Sequence, residues 1–288
     1  MRALAFQVLK HCGAACLPSP VTRTDTYVHG HHESVLRSHR WRTAANSAAY
    51  LLPQLRPGMS LLDVGCGPGT VTADLAAAVA PGEVVGIDAS GAVLEEARGV
   101  ASERGLANAT FAVADAYALP FVDATFDVVH AHQVLQHLTD PVAALREMRR
   151  VARPGGLVAV RDSDYGAMTW YPASSGLDEW NELYHEVTAA LGAQADAGRR
   201  LVAWAREAGF DDLTATAGTW CYSSAQDRAW WSGLWAERCV SSDFATQALA
   251  HGLADEVGLE QLAESWREWG TQGDGWFVVV HGEVLAHL

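Results

Sequence analysis

Short apolar runs alternate with amphipathic stretches through the first half of the chain. Leu61-Leu62-Asp63-Val64 and Val84-Val85-Gly86-Ile87-Asp88 are apolar segments with an acid at or near the end, as strands buried on both faces read. Residues 110–114, 126–131 and 156–161 read the same way. Helices are predicted between them: residues 70–80, alanine-rich and closed by Pro81-Gly82; residues 90–104, with Gly105 as a C-cap; and residues 141–151, with Asp140 as N-cap and Pro141 at the first helical position. Upstream, the spacing of Leu36, Ala44, Ala48, Leu51 and Leu52 predicts one amphipathic helix over residues 33–55, stopped near Pro57-Gly58. Such alternation of strands and helices is α/β architecture. Later the pattern changes. Residues 174–191 and 197–208 are helical, 213–222 and 275–285 alternate as paired strands, and 223–272 are helical and rich in aromatics. No repeat, low-complexity run or linker divides the chain, so one domain is expected over 1–288. It would comprise a cover and helix over 1–55, a first half over 56–165, and a second half over 166–288 with cap insertions at about 166–197 and 223–272.

The connection after the first strand carries the chemistry. Gly65-Cys66-Gly67-Pro68-Gly69 lets the backbone turn tightly with no Cβ in the way, so a ligand can lie on the main chain. Its Gly-x-Gly-x-Gly spacing differs from the Gly-x-Gly-x-x-Gly that seats a dinucleotide pyrophosphate, which weakens an NAD-linked oxidoreductase reading. Asp88 at the end of the second strand can accept both hydroxyls of a ribose, and Asp115 closes the third strand. Either acid could instead cap a turn.

Composition narrows the partners. A formal net charge of −14 opposes binding to a phosphate backbone, so no nucleic acid is expected. The five cysteines show no Cys-x-x-Cys pair, which disfavours a disulfide framework or structural zinc and predicts reduced thiols in a cytoplasm. Residues 1–17 superficially mimic an export signal, but Gln7, Lys10 and His11 interrupt the apolar run. No segment is long enough to span a bilayer. His29, His31 and His32 lack the further ligands that would complete a metal site, so none is expected. Ten of the eleven tryptophans lie at or after Trp170, which concentrates aromatic surface in the second half. These rings can wall a pocket for a flat apolar acceptor, fill a core, or form a homodimer contact.

Asp63-Val64-Gly65-Cys66-Gly67-Pro68-Gly69, Gly86-Ile87-Asp88, Asp115-Ala116, Leu119-Pro120-Phe121, Phe126-Asp127-Val128-Val129 and Arg153-Pro154-Gly155-Gly156 together resemble the ordered motifs of class I S-adenosylmethionine (SAM) dependent methyltransferases. The likeness covers about residues 33–165 and is strongest to the ubiquinone/menaquinone C-methyltransferase branch and related actinobacterial natural-product enzymes. It implies a Rossmann-like seven-stranded sheet with helices on both faces, the last strand antiparallel, and a mainly helical cap; residues 56–165 become the SAM-binding half. The cofactor implied is SAM, held by Asp63, Gly65, Cys66, Gly67 and Gly69, by Asp88 and Ala89 at the ribose, by Asp115 and Ala116 at the adenine, and by His132 near the sulfonium. Arg37, Arg40 and Arg42 are candidates for its carboxylate, with Arg42 favoured. The implied reaction is methyl transfer to a small hydrophobic aromatic acceptor, favouring carbon of an electron-rich ring such as indole C3 of a tryptophan-derived metabolite. O- or N-methylation, quinol C-methylation and a non-catalytic SAM-binding role are the alternatives. Tyr27, His31, Asp164 and Tyr165 are the candidates for moving a proton.

Overall fold

Leu61 and Leu62 are both fully buried, yet they sit in different cores, because successive residues of a strand face opposite sides of its sheet. Their strand, β1 (Leu61–Val64), is flanked in parallel by β2 (Val84–Asp88) and β4 (Phe126–His132). With β3 (Ala109–Val113), β5 (Ala152–Tyr171), β6 (Asp212–Tyr222) and β7 (Trp276–His287) they form a seven-stranded sheet in the order β3-β2-β1-β4-β5-β7-β6. β7 runs antiparallel to both of its neighbours. This is the Rossmann-like arrangement expected from the sequence. The computed structural model describes Asp25, Tyr27, Val28, Gly30 and residues 32–288; the segment 1–17 and His29 and His31 lie outside those residues.

Two helix layers bury the two faces. Leu75, Ala76 and Val79 of α3 (Thr70–Val79) share the first core with Leu61, Val84, Val128 and Ala159. Leu145 and Met148 of α5 (Pro141–Val151) and Leu201 and Ala205 of α7 (Leu201–Glu207) share the second with Leu62, Val85 and Val129. Asp140 caps α5 as expected, its carboxylate accepting from the Ala143 N–H at 3.0 Å. The α4 helix (Gly91–Glu103) lies between β2 and β3, ending just before Gly105.

Two expectations need correction. The predicted helix over 33–55 is broken into α1 (Glu33–Arg40), a short α2 (Ala44–Ser47) and a 3-10 turn (Leu52–Gln54). Thr43 is extended and forms a reciprocal capping box with Asn46, which starts a new helix and so ends the old one. The fifth strand does not stop at residue 161. β7 pairs along it to Tyr171, with a register shift between Asp164 and Thr169, so residues 161–166 are strand rather than loop.

The far halves of β5, β6 and β7 carry a third core. Here α6 (Ser175–Ala190), α8 (Ala225–Ser241), α9 (Asp243–Ala250) and α10 (Glu256–Thr271) pack as a cap around Trp180, Trp235 and Trp266, none more than 1% exposed. Most of the tryptophan-rich surface foreseen from the sequence is therefore core; Trp41, Trp220 and Trp231 reach the site described next. No helix among the described residues is long and apolar enough to cross a membrane.

Candidate functional site

A cleft of about 820 Å³ opens along the ends of β1, β2 and β4, where parallel α/β sheets place ligands. Gly65 and Gly67 turn the chain at its floor, both with left-handed backbone (φ +68° and +54°). A methyl group on Gly65 would come within 2.4 Å of Val134 Cγ2, so that glycine serves packing. One on Gly67 would meet nothing closer than His39 Nδ1 at 3.9 Å. Gly67 therefore bares its main chain to the cleft. Gly69 lets α3 approach α4, since a Cβ there would lie 2.7 Å from that of Ala97.

The acids take different roles. Asp88 Oδ2 accepts from the Gly67 N–H at 3.0 Å and Oδ1 from the Ser90 N–H at 2.9 Å, which fixes the carboxylate and leaves lone pairs on both oxygens. Asp115 accepts from the Tyr117 N–H through Oδ1 and makes no bond through Oδ2 among the described residues. Ala89 and Ala116 line the cleft beside them, as does Cys66, whose thiol is pushed up by burial. Asp63 also borders the cleft, but both its oxygens are taken, by His130 Nδ1 at 2.7 Å and Thr72 Oγ1 at 2.5 Å. The geometry makes it a support for the glycine turn.

Of the three arginines weighed, Arg37 pairs with Glu237 and Arg40 with Glu33 and Glu96 on the surface. Only Arg42 turns inward. The break at Thr43 aims it at the cleft, where it donates to Gln133 Oε1 and keeps a buried Nε with no partner. Burial, and to a lesser extent the Arg238 charge, pull its pKa down to about 10, still charged at neutral pH. Gln133 itself has left-handed backbone (φ 53°), a strain of about 1–3 kcal/mol of the kind found at binding sites, and its amide nitrogen reaches His281 Nε2 at 3.0 Å. His132 ends β4 at the cleft with both ring nitrogens buried and unpartnered; burial first, then Arg161 and Arg42, hold its pKa far below the usual range.

At its inner end the cleft shares Tyr27, His39, Arg42, Gln133 and His137 with an adjoining extension of about 30 Å³ beneath the cap. Trp41, Trp220, Tyr222, Trp231 and Arg238 close it. Tyr27 packs edge-on against His137 at 4.6 Å, and its hydroxyl lies 3.2 Å from His39 Nε2. Tyr165 borders the extension, stacked on Tyr184 with ring centres 3.7 Å apart. Asp164 does not join it. The two neighbours face opposite sides of β5, and the Asp164 carboxylate is gripped by Arg199 Nε and Nη2 at 2.7 and 2.5 Å, so Asp164, expected as a candidate for moving a proton, is turned away from Tyr165 and the site. His39, Gln133 and Arg238 also line the site and belong to no sequence motif that could have marked them.

Under this floor, Asp162 offers a test of burial. Desolvation lifts its carboxyl to about 8, against the opposing effects of the Gln136 N–H at 3.1 Å and the Arg161 charge. Folded, it holds its proton to about pH 8; unfolded, it releases it near 3.8. Unfolding between those values releases a proton, so this group's contribution to stability is highest below the lower value and falls as pH rises through the window, by up to about 1.4 kcal/mol per unit. Asp162→Asn keeps the acceptor for Gln136 and cannot ionise. Its advantage over the parent in urea unfolding is expected to grow from pH 5 to pH 8; an equal difference at both would show that the carboxyl ionises normally.

Residues 55–217 match the family described as a methyltransferase domain. An uncharacterized methyltransferase of Schizosaccharomyces pombe is 33% identical over 90% of this chain and 95% of its own length. The ubiquinone/menaquinone biosynthesis C-methyltransferase UbiE of Idiomarina loihiensis is 43% identical over 45% of this chain and 50% of its own. The fold is shared with Haemonchus contortus phosphoethanolamine N-methyltransferase 2, solved with SAM, at 19% identity, 81% and 49% coverage of the two chains and a TM-score of 0.50. These matches set aside the dinucleotide reading, and they make the chain a member of the class I SAM-dependent methyltransferases.

Proposed function

We propose that this enzyme methylates a small, hydrophobic, aromatic acceptor, at carbon of an electron-rich ring such as indole C3 of a tryptophan-derived metabolite. The observation that carries the reading is the aromatic end of the cleft: it begins at the bared Gly67 main chain and ends at the rings of Tyr27 and His137. In this reading Asp88 accepts the ribose hydroxyls, Asp115 the adenine amino group, and Arg42 grips the methionine carboxylate, with His132 beside the sulfonium. The orphaned Arg42 Nε and His132 nitrogens and the free lone pairs on Asp88 and Asp115 suit such a guest.

SAM supplies an electrophilic methyl, so the protein's task is to hold the acceptor atom in line and exclude water; such placement accounts for roughly 7–11 kcal/mol of barrier reduction in well-oriented reactions. Burial pushes the hydroxyls of Tyr27 and Tyr165 up to about 12, so both keep their protons at neutral pH and serve as hydrogen-bond donors rather than bases. Burial holds His137 at about 3, which makes it a neutral and weak base. The polarised acceptor ring therefore supplies the electrons, and its proton leaves after the new bond forms. Labelled SAM incubated with a panel of indoles and quinols, with products located by mass spectrometry, is expected to place the methyl on ring carbon. Label on oxygen or nitrogen redirects the chemistry; SAM bound with no S-adenosylhomocysteine formed from any acceptor leaves a non-catalytic binding protein.

A further inference from the structure

Three arginines flank the site, Arg161 and Arg238 buried and Arg42 half-buried, and they differ in how their charge is balanced. Arg161, 2% exposed, pairs with Glu283 at 3.1 Å. Arg42 and Arg238 form no ion pair with a carboxylate among the described residues. Arg238 is 4% exposed. Its Nη2 donates to the Ser34 carbonyl and Ser38 Oγ at 2.9 and 2.7 Å, its guanidinium lies over Trp235 at 5.0 Å, and its Nε is buried with no partner. The ionisable groups that act most on its charge are the hydroxyls of Tyr165, Tyr27, Tyr184 and Tyr222, all held in their neutral forms by burial. The adjacent Glu237 is taken by Arg37 on the outside. Residues 1–24, Thr26, His29 and His31, the part of the chain not described, contain no Asp or Glu, so the missing countercharge does not lie there.

A buried guanidinium without a counterion is unfavourable, because it has left water for no compensating charge. The methionine carboxylate of SAM balances one such group, and Arg42 is the one on the cofactor side of the junction. Arg238 lines only the inner extension, whose volume of about 30 Å³ admits a group of a few atoms but not a ring. We propose that the methyl acceptor carries an anionic group, in the simplest case a carboxylate, which enters this extension and pairs with Arg238 while the ring stays in the wider cleft. This rests on the methyl-transfer reading above and adds the acceptor's charge to it.

The test is calorimetric titration of the full chain, saturated with S-adenosylhomocysteine at pH 7.5, with benzoate, 3-phenylpropionate and indole-3-propionate, and with the neutral amide of each. At least one acid is expected to bind tenfold or more tighter than its amide. Arg238→Met should erase that preference, Arg238→Lys should restore part of it, and S-adenosylhomocysteine affinity should stay within about twofold throughout. Equal binding of every acid and amide, binding of no acid, or a preference that survives in Arg238→Met overturns the proposal; the wild-type comparison decides even if the methionine variant does not fold. Failure of S-adenosylhomocysteine itself to bind the wild type would strike the cofactor assignment instead, so the two failures are told apart.

Discussion

Asp88→Ala is expected to raise the SAM dissociation constant by roughly 5- to 150-fold, the equivalent of about 1–3 kcal/mol for charge-assisted hydrogen bonds to a buried partner. The carboxylate is pinned by two backbone N–H groups, so it is oriented before any ligand arrives, and no entropy is spent on arranging it at binding. The same substitution leaves those N–H groups beside an open cleft where water can reach them, so the melting temperature should change little. Calorimetry on the variant, with a melting curve alongside, separates the two effects. An unchanged dissociation constant removes Asp88 from the ribose.

Trp180→Ala is expected to cost about 3–5 kcal/mol of stability, or on the order of 10 °C in melting temperature for a chain of this size. The indole is fully buried and meets Trp235 edge-on at 4.5 Å and Trp266 at 4.8 Å, so its removal leaves a cavity bounded by rigid rings that cannot collapse into it. Trp276→Ala, at a site 42% exposed, serves as the control and should cost far less. Urea unfolding of both variants measures the difference. A loss below about 1 kcal/mol for Trp180 would mean that the cap relaxes around the void.

The parallel half of the sheet was legible because its signals are local. Short apolar strands, a glycine turn and the Asp140-Pro141 cap each fix their own element whatever lies around them. The places of Asp88 and Asp115 along the cleft were legible for the same reason, since each strand-end acid stands next to its own turn. The helix over 33–55 was misread because apolar spacing continued across Thr43, while the bond that breaks the helix is a side-chain cap. β5 was cut short because its second half is strand only by virtue of β7, more than a hundred residues later in the chain. The tryptophans show the limit most plainly. Composition marks them as important, yet only packing tells Trp180, a core residue, from Trp220, which faces the site.

The bent residue after β4 also fixes a hydrogen that no side-chain position reveals by itself. Gln133 takes a hydrogen from Arg42 through its amide oxygen, so the nitrogen of that amide must be what faces His281, and it can only give. His281 Nε2 therefore holds a lone pair, and in a ring kept neutral by burial the proton resides on Nδ1. One left-handed peptide thus selects the tautomer of an imidazole three strands' worth of sequence away, and glutamate at 133, matched in size, would lack the hydrogen that sets it.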